Sequence, residues 1–388
     1  MEHKDSLGLY LHIPFCRQKC LYCDFYSLAG NESRMDAYTD ALCAHLKTFA
    51  PGAASYTVDT VYFGGGTPSY LGETRLCAIL DTVNRLYKVA DGAEITLEAN
   101  PDSARDVASL KRLRQAGFNR ISLGMQSADD QELKTIGRIH TAKETEQAVS
   151  AIREAGFDNL SLDLIYGLPD QTGDRWMNNL AAAVALHPDH LSCYGLKVEP
   201  GTPLHAMQSQ LTLPGDEEQA DFYLAAVDFL AKNGYEQYEL SNFAKPGFAS
   251  RHNLKYWMLE PYAGFGPGAH SDFGSVRYAW TRDLSQYIAH AASGHPPVSE
   301  RNLIGTRERA AEYLMLGLRT VYGLDPQVFE TRYGFKFSLF LPFLEQCAAV
   351  GYAVQEQGRW HLTPLGFLVS NPIIGGMIEI LDNRAPAI

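Results

Sequence analysis

Three cysteines crowd into one short stretch, Cys16, Cys20 and Cys23, spaced Cys-x-x-x-Cys-x-x-Cys. The chain has seven cysteines in all, and Cys43, Cys77, Cys193 and Cys347 are scattered. An odd count with one tight cluster is not the framework of a disulfide-stapled secreted protein. In a reducing compartment such thiols read as metal ligands. A 4Fe-4S cubane held by three thiolates leaves its fourth iron open to a small chelating molecule. Zinc is the competing reading. A structural zinc site takes four ligands, usually from two Cys-x-x-Cys knuckles, and the chain has no second knuckle. His12 or Asp24 would have to complete it, and His12 lies in an expected strand.

Other polar residues fall where apolar runs end. They are Thr67, after the glycines Gly65 and Gly66 in Gly64-Gly65-Gly66-Thr67-Pro68, Glu98 with Asn100, and Gln126; Arg138 lies on the short stretch after Gln126, and Asp163 sits inside a run, between Leu162 and Leu164. Each buried carboxylate costs stability unless something partners it. Glu98 and Asp163 could serve as the acid and base of a glycoside hydrolase, but that reading leaves the cysteine loop unexplained. Further on stands Arg251-His252-Asn253-Leu254-Lys255-Tyr256-Trp257. His252 offers an imidazole nitrogen to a haem iron, and Tyr256 and Trp257 offer flat apolar faces to a porphyrin. Arg251 or Lys255 could meet a propionate. A histidine among aromatic residues is more often a hydrogen-bonded packing residue. Gly264–Ser271 is a second unusual segment, with His270 another ligand candidate.

These residues need a scaffold. Strands are expected at Leu7–His12, Val58–Phe63, Ile95–Ala99, Arg120–Met125, Leu160–Ile165 and His190–Leu196. Helical patterns lie between them at Met35–Phe49, Glu73–Leu86, Ala104–Gln115, Thr141–Glu154 and Arg175–Ala185. Six such alternations predict right-handed crossovers and a parallel sheet, an α/β fold. A closed barrel of eight units needs ~250 residues. Six units ending near 196 fit a partial TIM-like (β/α)6 barrel or an open doubly wound sheet, and the pattern alone leaves both open. We expect the barrel over 1–240, an extension carrying the His252 motif over 241–299, and a small, mostly helical, winged-helix-like C-terminal domain over 300–388.

Composition narrows the classes. Of 388 residues 46% are hydrophobic and 20% charged, as in a globular protein. The 33 Lys and Arg against 45 Asp and Glu give a net charge of −12, which argues against a broad nucleic-acid surface. No apolar run approaches the ~18 residues of a membrane helix, so no integral membrane protein is expected. Met1–Asp5 is polar and lacks a signal core, so a cytoplasmic location is expected.

The stretch Tyr10-x-His12-Ile13-Pro14-Phe15-Cys16-x-x-x-Cys20-x-Tyr22-Cys23-Asp24-Phe25 resembles the radical S-adenosylmethionine (SAM) superfamily. Within it, the chain resembles the branch of the HemN-type oxygen-independent coproporphyrinogen III oxidases and the HemW-type haem chaperones, from about Tyr10 to the C-terminus. The resemblance implies a 4Fe-4S cluster on Cys16, Cys20 and Cys23, with SAM on the open iron cleaved by one electron to a deoxyadenosyl radical. It also implies the partial barrel. It carries SAM contacts onto Tyr10, Tyr22, Gly65, Gly66, Thr67, Glu98, Gln126, Arg138 and Asp163, with Lys197 as a further candidate.

Two departures point to the HemW type. Phe25 stands where the oxidases have a fourth cysteine, and the first strand begins near Leu7, without their longer N-terminal extension. His-Asn-x-x-Tyr-Trp at His252 looks like that group's haem-associated motif. The expected function is a haem chaperone that hands haem to an acceptor apo-haemoprotein, a membrane-associated one among the candidates. The alternative is the oxidase, which decarboxylates propionates to vinyl groups. Another radical-SAM reaction on a tetrapyrrole is the third class.

Overall fold

The computed structural model describes residues 6–384. The chain packs as two compact units. Among the described residues the first runs to Phe222 and resumes over Pro261–Asn302, and the second comprises Tyr223–Glu260 and the chain from Leu303 onward.

Six parallel strands form the heart of the first unit: β1 (Ser6–Ile13), β2 (Thr57–Gly65), β3 (Val89–Ala99), β4 (Arg120–Gln126), β5 (Asn159–Tyr166) and β6 (His190–Gly195). Helices connect them: α1 (Met35–Phe49), α2 (Glu73–Leu86), α3 (Val107–Ala116), the short α4 (Asp130–Thr135), α5 (Ala142–Glu154) and α6 (Gly173–Ala185). The α5 start shows the local logic. Thr141 accepts from Glu144 N–H while the Glu144 side chain accepts from Thr141 N–H, a reciprocal cap on a helix end that would otherwise leave donors unpaired.

The strands lie in the order β1-β2-β3-β4-β5-β6. A doubly wound sheet reverses its strand order at a switch point, and no reversal occurs here. The sheet therefore winds in one direction, as an incomplete barrel does. On the other side of β1 the sheet continues through β7 (Tyr262–Phe265), which is parallel to β1, and then the antiparallel β8 (His270–Phe273) and β9 (Val276–Trp280). This pairing explains why residues 261–302 belong with the barrel, whereas the sequence-based division placed boundaries at 240 and 299.

Side chains alternate along these strands except at register shifts at Leu7/Gly8, Val58/Thr60 and Leu123/Gln126. One face carries Leu9, Leu11, Val61, Phe63, Leu97, Ile121, Leu123, Leu162 and Leu191, all fully buried. The register aligns polar residues on the other: Tyr10 with Tyr62, Glu98 with Ser122, Asp163 with Ser192. Barrel interiors are ordinarily filled by branched apolar side chains. A polar lining must find partners for its own groups, and the site below is built from them.

The second unit holds α7 (Arg251–Trp257) and a C-terminal part of α8 (Thr306–Gly317), α9 (Pro326–Tyr333), α10 (Leu341–Ala349), the hairpin β10 (Ala353–Glu356)–β11 (Arg359–Leu362) and α11 (Ser370–Arg384). Phe329 on α9 meets the rings of Tyr333, Phe337 and Phe340 in its core. Among the described residues no helix is long and apolar enough to cross a membrane.

Candidate cluster and cofactor site

The cysteine loop leaves the end of β1 and is pinned on both sides. Phe15 and Cys16 pair in parallel with Leu28 and Ala29, which closes the loop at its base. The His12 ring reaches across it, with Nε2 2.8 Å from Tyr26 O and Nδ1 3.0 Å from Tyr10 Oη. Donation from Nε2–H to that carbonyl leaves Nδ1 to accept from the Tyr10 hydroxyl. Burial pulls His12 down to about 4, so the ring is neutral at physiological pH.

The glycine run packs against this loop. Gly65 has φ +113°, and a Cβ there would stand 2.6 Å from the His12 ring; a Cβ on Gly66 would stand 2.7 Å from Phe15 O. Gly66 N–H donates to Ile13 O at 2.9 Å and Thr67 N–H to Phe15 O at 2.8 Å. Glycine is required here so that the end of β2 can lie against the backbone that carries Cys16.

A continuous set of side-chain contacts then runs from one cysteine to another. Thr67 Oγ1 donates to Cys16 Sγ at 3.5 Å and accepts from Asn100 Nδ2 at 3.0 Å. Asn100 Oδ1 accepts from Arg138 at 2.8 Å, and the same guanidinium reaches Gly124 O at 2.6 Å and Cys20 Sγ at 3.5 Å. Gln126 joins this corner. It takes φ +64° at the irregular end of β4, and a Cβ on Gly124 would stand within 3.0 Å of its Nε2, of Asn100 Oδ1 and of the Arg138 guanidinium. A non-glycine residue with positive φ is worth a functional look.

Deeper along the polar face, Glu98 accepts from Tyr62 Oη at 2.8 Å and Gly65 N–H at 3.1 Å. Burial raises Glu98 to about 7, and the nearby Asp163 pushes the same way. Ser122 donates to Asp163 at 3.1 Å and Ser161 lies 3.4 Å from it; burial raises this carboxyl too. Tyr22 packs against Ile136, Ile165 and Leu168. Lys197 is exposed beyond β6 and makes none of these bonds.

The donor set suits an iron–sulfur cluster. It consists of three thiols, the soft ligands such clusters take. Burial pushes Cys16 and Cys23 up, so both are protonated until a metal ionises them. Cys16 and Cys20 each act electrostatically on Cys23, which places the three in one neighbourhood. Among the described residues no three His, Cys, Asp or Glu side chains converge as ligands of a single ion. A cubane spreads three thiolates over three irons and does not require that convergence.

The motif at His252 is a helix, α7, capped by Ser250, whose side chain accepts from Asn253 N–H. His252 is buried at 1% exposure. Its Nε2 lies 2.8 Å from Tyr256 Oη, with the two rings edge to face at 5.2 Å. Burial drives it down to about 3. Lys255 is buried as well and pairs with Glu260 at 2.9 Å. In this conformation the ring is hydrogen-bonded and enclosed, so iron could reach Nε2 only after the Tyr256 hydroxyl leaves it. Trp257 is half-buried. His270, on β8, is half-exposed and 3.4 Å from Glu300.

The model of the radical SAM superfamily matches residues 10–182, and that of the HemN C-terminal domain residues 306–369. Over 373 residues the chain is 36% identical to the heme chaperone HemW of Bacillus subtilis, covering 95% of this chain and 98% of that one. The chain belongs to the HemW family. It is also 35% identical to the Escherichia coli heme chaperone HemW, over 96% of this chain and 98% of that one. Membership in the radical SAM superfamily implies a 4Fe-4S cluster and SAM. The solved structure of the E. coli coproporphyrinogen III oxidase HemN superposes with a TM-score of 0.82 at 24% identity, over 98% of this chain and 90% of that one, which shows a shared fold.

Sequence reasoning named the cysteines and most strand-end residues that the fold gathers. It passed over Tyr62 and the three serines around Asp163. Their signal was available, since each stands in the polar register of an alternating strand.

Proposed function

We propose that this chain is a haem chaperone on a radical-SAM scaffold, which binds haem and passes it to an acceptor apo-haemoprotein. The observation that carries this reading is identity with HemW chaperones over nearly the whole of both chains. Phe25, 68% exposed where the oxidases have a fourth cysteine, agrees with it. In this reading Cys16, Cys20 and Cys23 hold the cluster. Tyr10, Tyr22, Gly65, Gly66, Thr67, Glu98, Gln126, Arg138 and Asp163 surround SAM, with Lys197 at the rim. His252, Tyr256 and Trp257 take haem. When bound, the cluster and SAM supply one-electron chemistry at this site. The chain's own residues orient the ligands: Arg138 is a fixed cation suited to a carboxylate, and Glu98 and Asp163 are acceptors suited to hydroxyl or ammonium groups. The place of action is the cytoplasm, with an acceptor in the respiratory chain at the membrane surface.

The test is transfer. The protein is loaded with haem, freed of excess, and mixed with an apo-haemoprotein of the respiratory chain. The reading predicts stoichiometric haem on the loaded protein and its appearance in the acceptor's absorption spectrum. Failure to bind haem, or haem that never leaves, contradicts it.

A further inference from the structure

One tyrosine on the polar face is marked by no motif. Tyr62 projects from β2 beside Tyr10, their ring centroids 6.2 Å apart and their planes 28° from parallel. Its hydroxyl donates to Glu98 Oε1 at 2.8 Å while Gly65 N–H donates to Oε2 at 3.1 Å, so each carboxylate oxygen has one donor. The groups set around Glu98 are Tyr10 from β1, Tyr62 and the Gly65 amide from β2, and Asp163 from β5. Tyr194 of β6 acts electrostatically on Tyr62, and Arg120 of β4 acts on Asp163. Glu98 is thus oriented by two neutral donors and faces a second carboxylate, an environment that a cationic ligand completes.

We propose that Tyr62 is a positioning residue of the SAM site, whose hydroxyl orients Glu98 and favours its ionised form for the positively charged ligand. The proposal rests on the reading that Glu98 belongs to that site. SAM is cationic at its sulfonium and, when protonated, at its amino group, so it gains more from a carboxylate than from a carboxylic acid. Burial and Asp163 lift Glu98 to about 7, and Tyr62 and Gly65 oppose them. Above that value Glu98 is ionised and SAM binds well; below it the carboxyl is neutral and binding weakens. Removing the Tyr62 hydroxyl removes one opposing bond and moves the transition to higher pH.

The experiment is calorimetric titration of SAM into the cluster-reconstituted full chain from about pH 6 to about pH 9. Wild type, Tyr62→Phe and Glu98→Gln are compared, with iron and sulfide content and melting temperature as checks of fold. The amino group of SAM itself titrates near about 8, equally for every protein, and cancels in the comparison. Tyr62→Phe should bind SAM about tenfold more weakly at neutral pH, with its midpoint about one unit higher. Glu98→Gln should be weak throughout and lose the transition. If Glu98→Gln weakens binding while Tyr62→Phe keeps wild-type affinity and midpoint, the role of Tyr62 is overturned and Glu98 keeps its place. If Glu98→Gln binds as wild type does, the placement of Glu98 fails, and Tyr62 with it.

Discussion

Arg138 meets Cys20 at 3.5 Å across 118 residues of chain. This contact ties the loop that carries the cysteines to the segment beyond β4, and the same guanidinium holds Asn100 and, through it, Thr67 and Cys16. One cation therefore braces the cluster loop against the ends of β2, β3 and β4. Its other partners, the Asn100 amide and the Gly124 carbonyl, are neutral and leave it charge to offer a ligand.

Replacing Arg138 with Lys keeps the charge and loses the planar fork that serves three partners at once. SAM affinity should fall roughly tenfold to a hundredfold, as for the loss of charge-assisted hydrogen bonds. Iron and sulfide content should stay near wild type, because Arg138 is no cluster ligand. Equilibrium binding to the reconstituted protein measures this; unchanged affinity would remove Arg138 from the site.

The cysteines divide into two groups. Changing Cys16, Cys20 and Cys23 together to Ala should abolish acid-labile sulfide and the brown chromophore. Changing Cys193 to Ala should leave both intact, since that buried thiol lies on the apolar face of β6. Stoichiometric zinc with no sulfide in the wild type would defeat the cluster assignment.

At the haem motif, Tyr256→Phe removes the hydroxyl that occupies His252 Nε2 and keeps the ring. If His252 is the iron ligand, Tyr256→Phe should bind haem at least as tightly as wild type, and His252→Ala should lose its axial-ligand spectrum. Spectrophotometric titration distinguishes them, and an unaltered spectrum in His252→Ala excludes it as the ligand.

The apoprotein should lose stability on acidification. Burial holds His12 and His140 at about 4, His45 and His252 at about 3, and His190 well below its ordinary value. Unfolding lets each take a proton below its ordinary value near 6.5, so each contribution is full above that pH and is lost as pH falls toward the folded value. Glu98 and Glu239, both raised to about 7, act oppositely, since the folded state holds their protons down to the ordinary carboxyl range. Five histidines against Glu98, Glu239 and the likewise raised Asp163 leave unfolding with a net uptake of about two protons between about pH 6 and about pH 5, a slope of roughly 3 kcal/mol per unit. Urea unfolding at several pH values reads this; a stability that rises toward pH 5 contradicts it.

Much of this was legible because parallel strands and amphipathic helices repeat a simple period. Met35–Phe49 and Glu73–Leu86 match their expected limits. The incomplete barrel was not legible from pattern alone, because strand order is a long-range property. The pairing of β7 with β1 was hidden for the same reason and displaced the expected boundaries. The glycines of the Gly64–Gly66 run were legible as a close approach, but the approaching group is the cluster loop's own backbone. His252 illustrates the opposite limit. Its aromatic neighbours were plain in the sequence, while its enclosure by Tyr256 depends on a helix, α7, that the irregular pattern there did not declare.

The central claim is most directly tested by product analysis. The protein is reconstituted anaerobically and shown to carry cluster and SAM, then given reductant and coproporphyrinogen III, with haem binding measured on the same preparation. The account predicts haem binding and no vinyl-bearing product. Catalytic formation of protoporphyrinogen would contradict it and make the chain an oxidase despite Phe25.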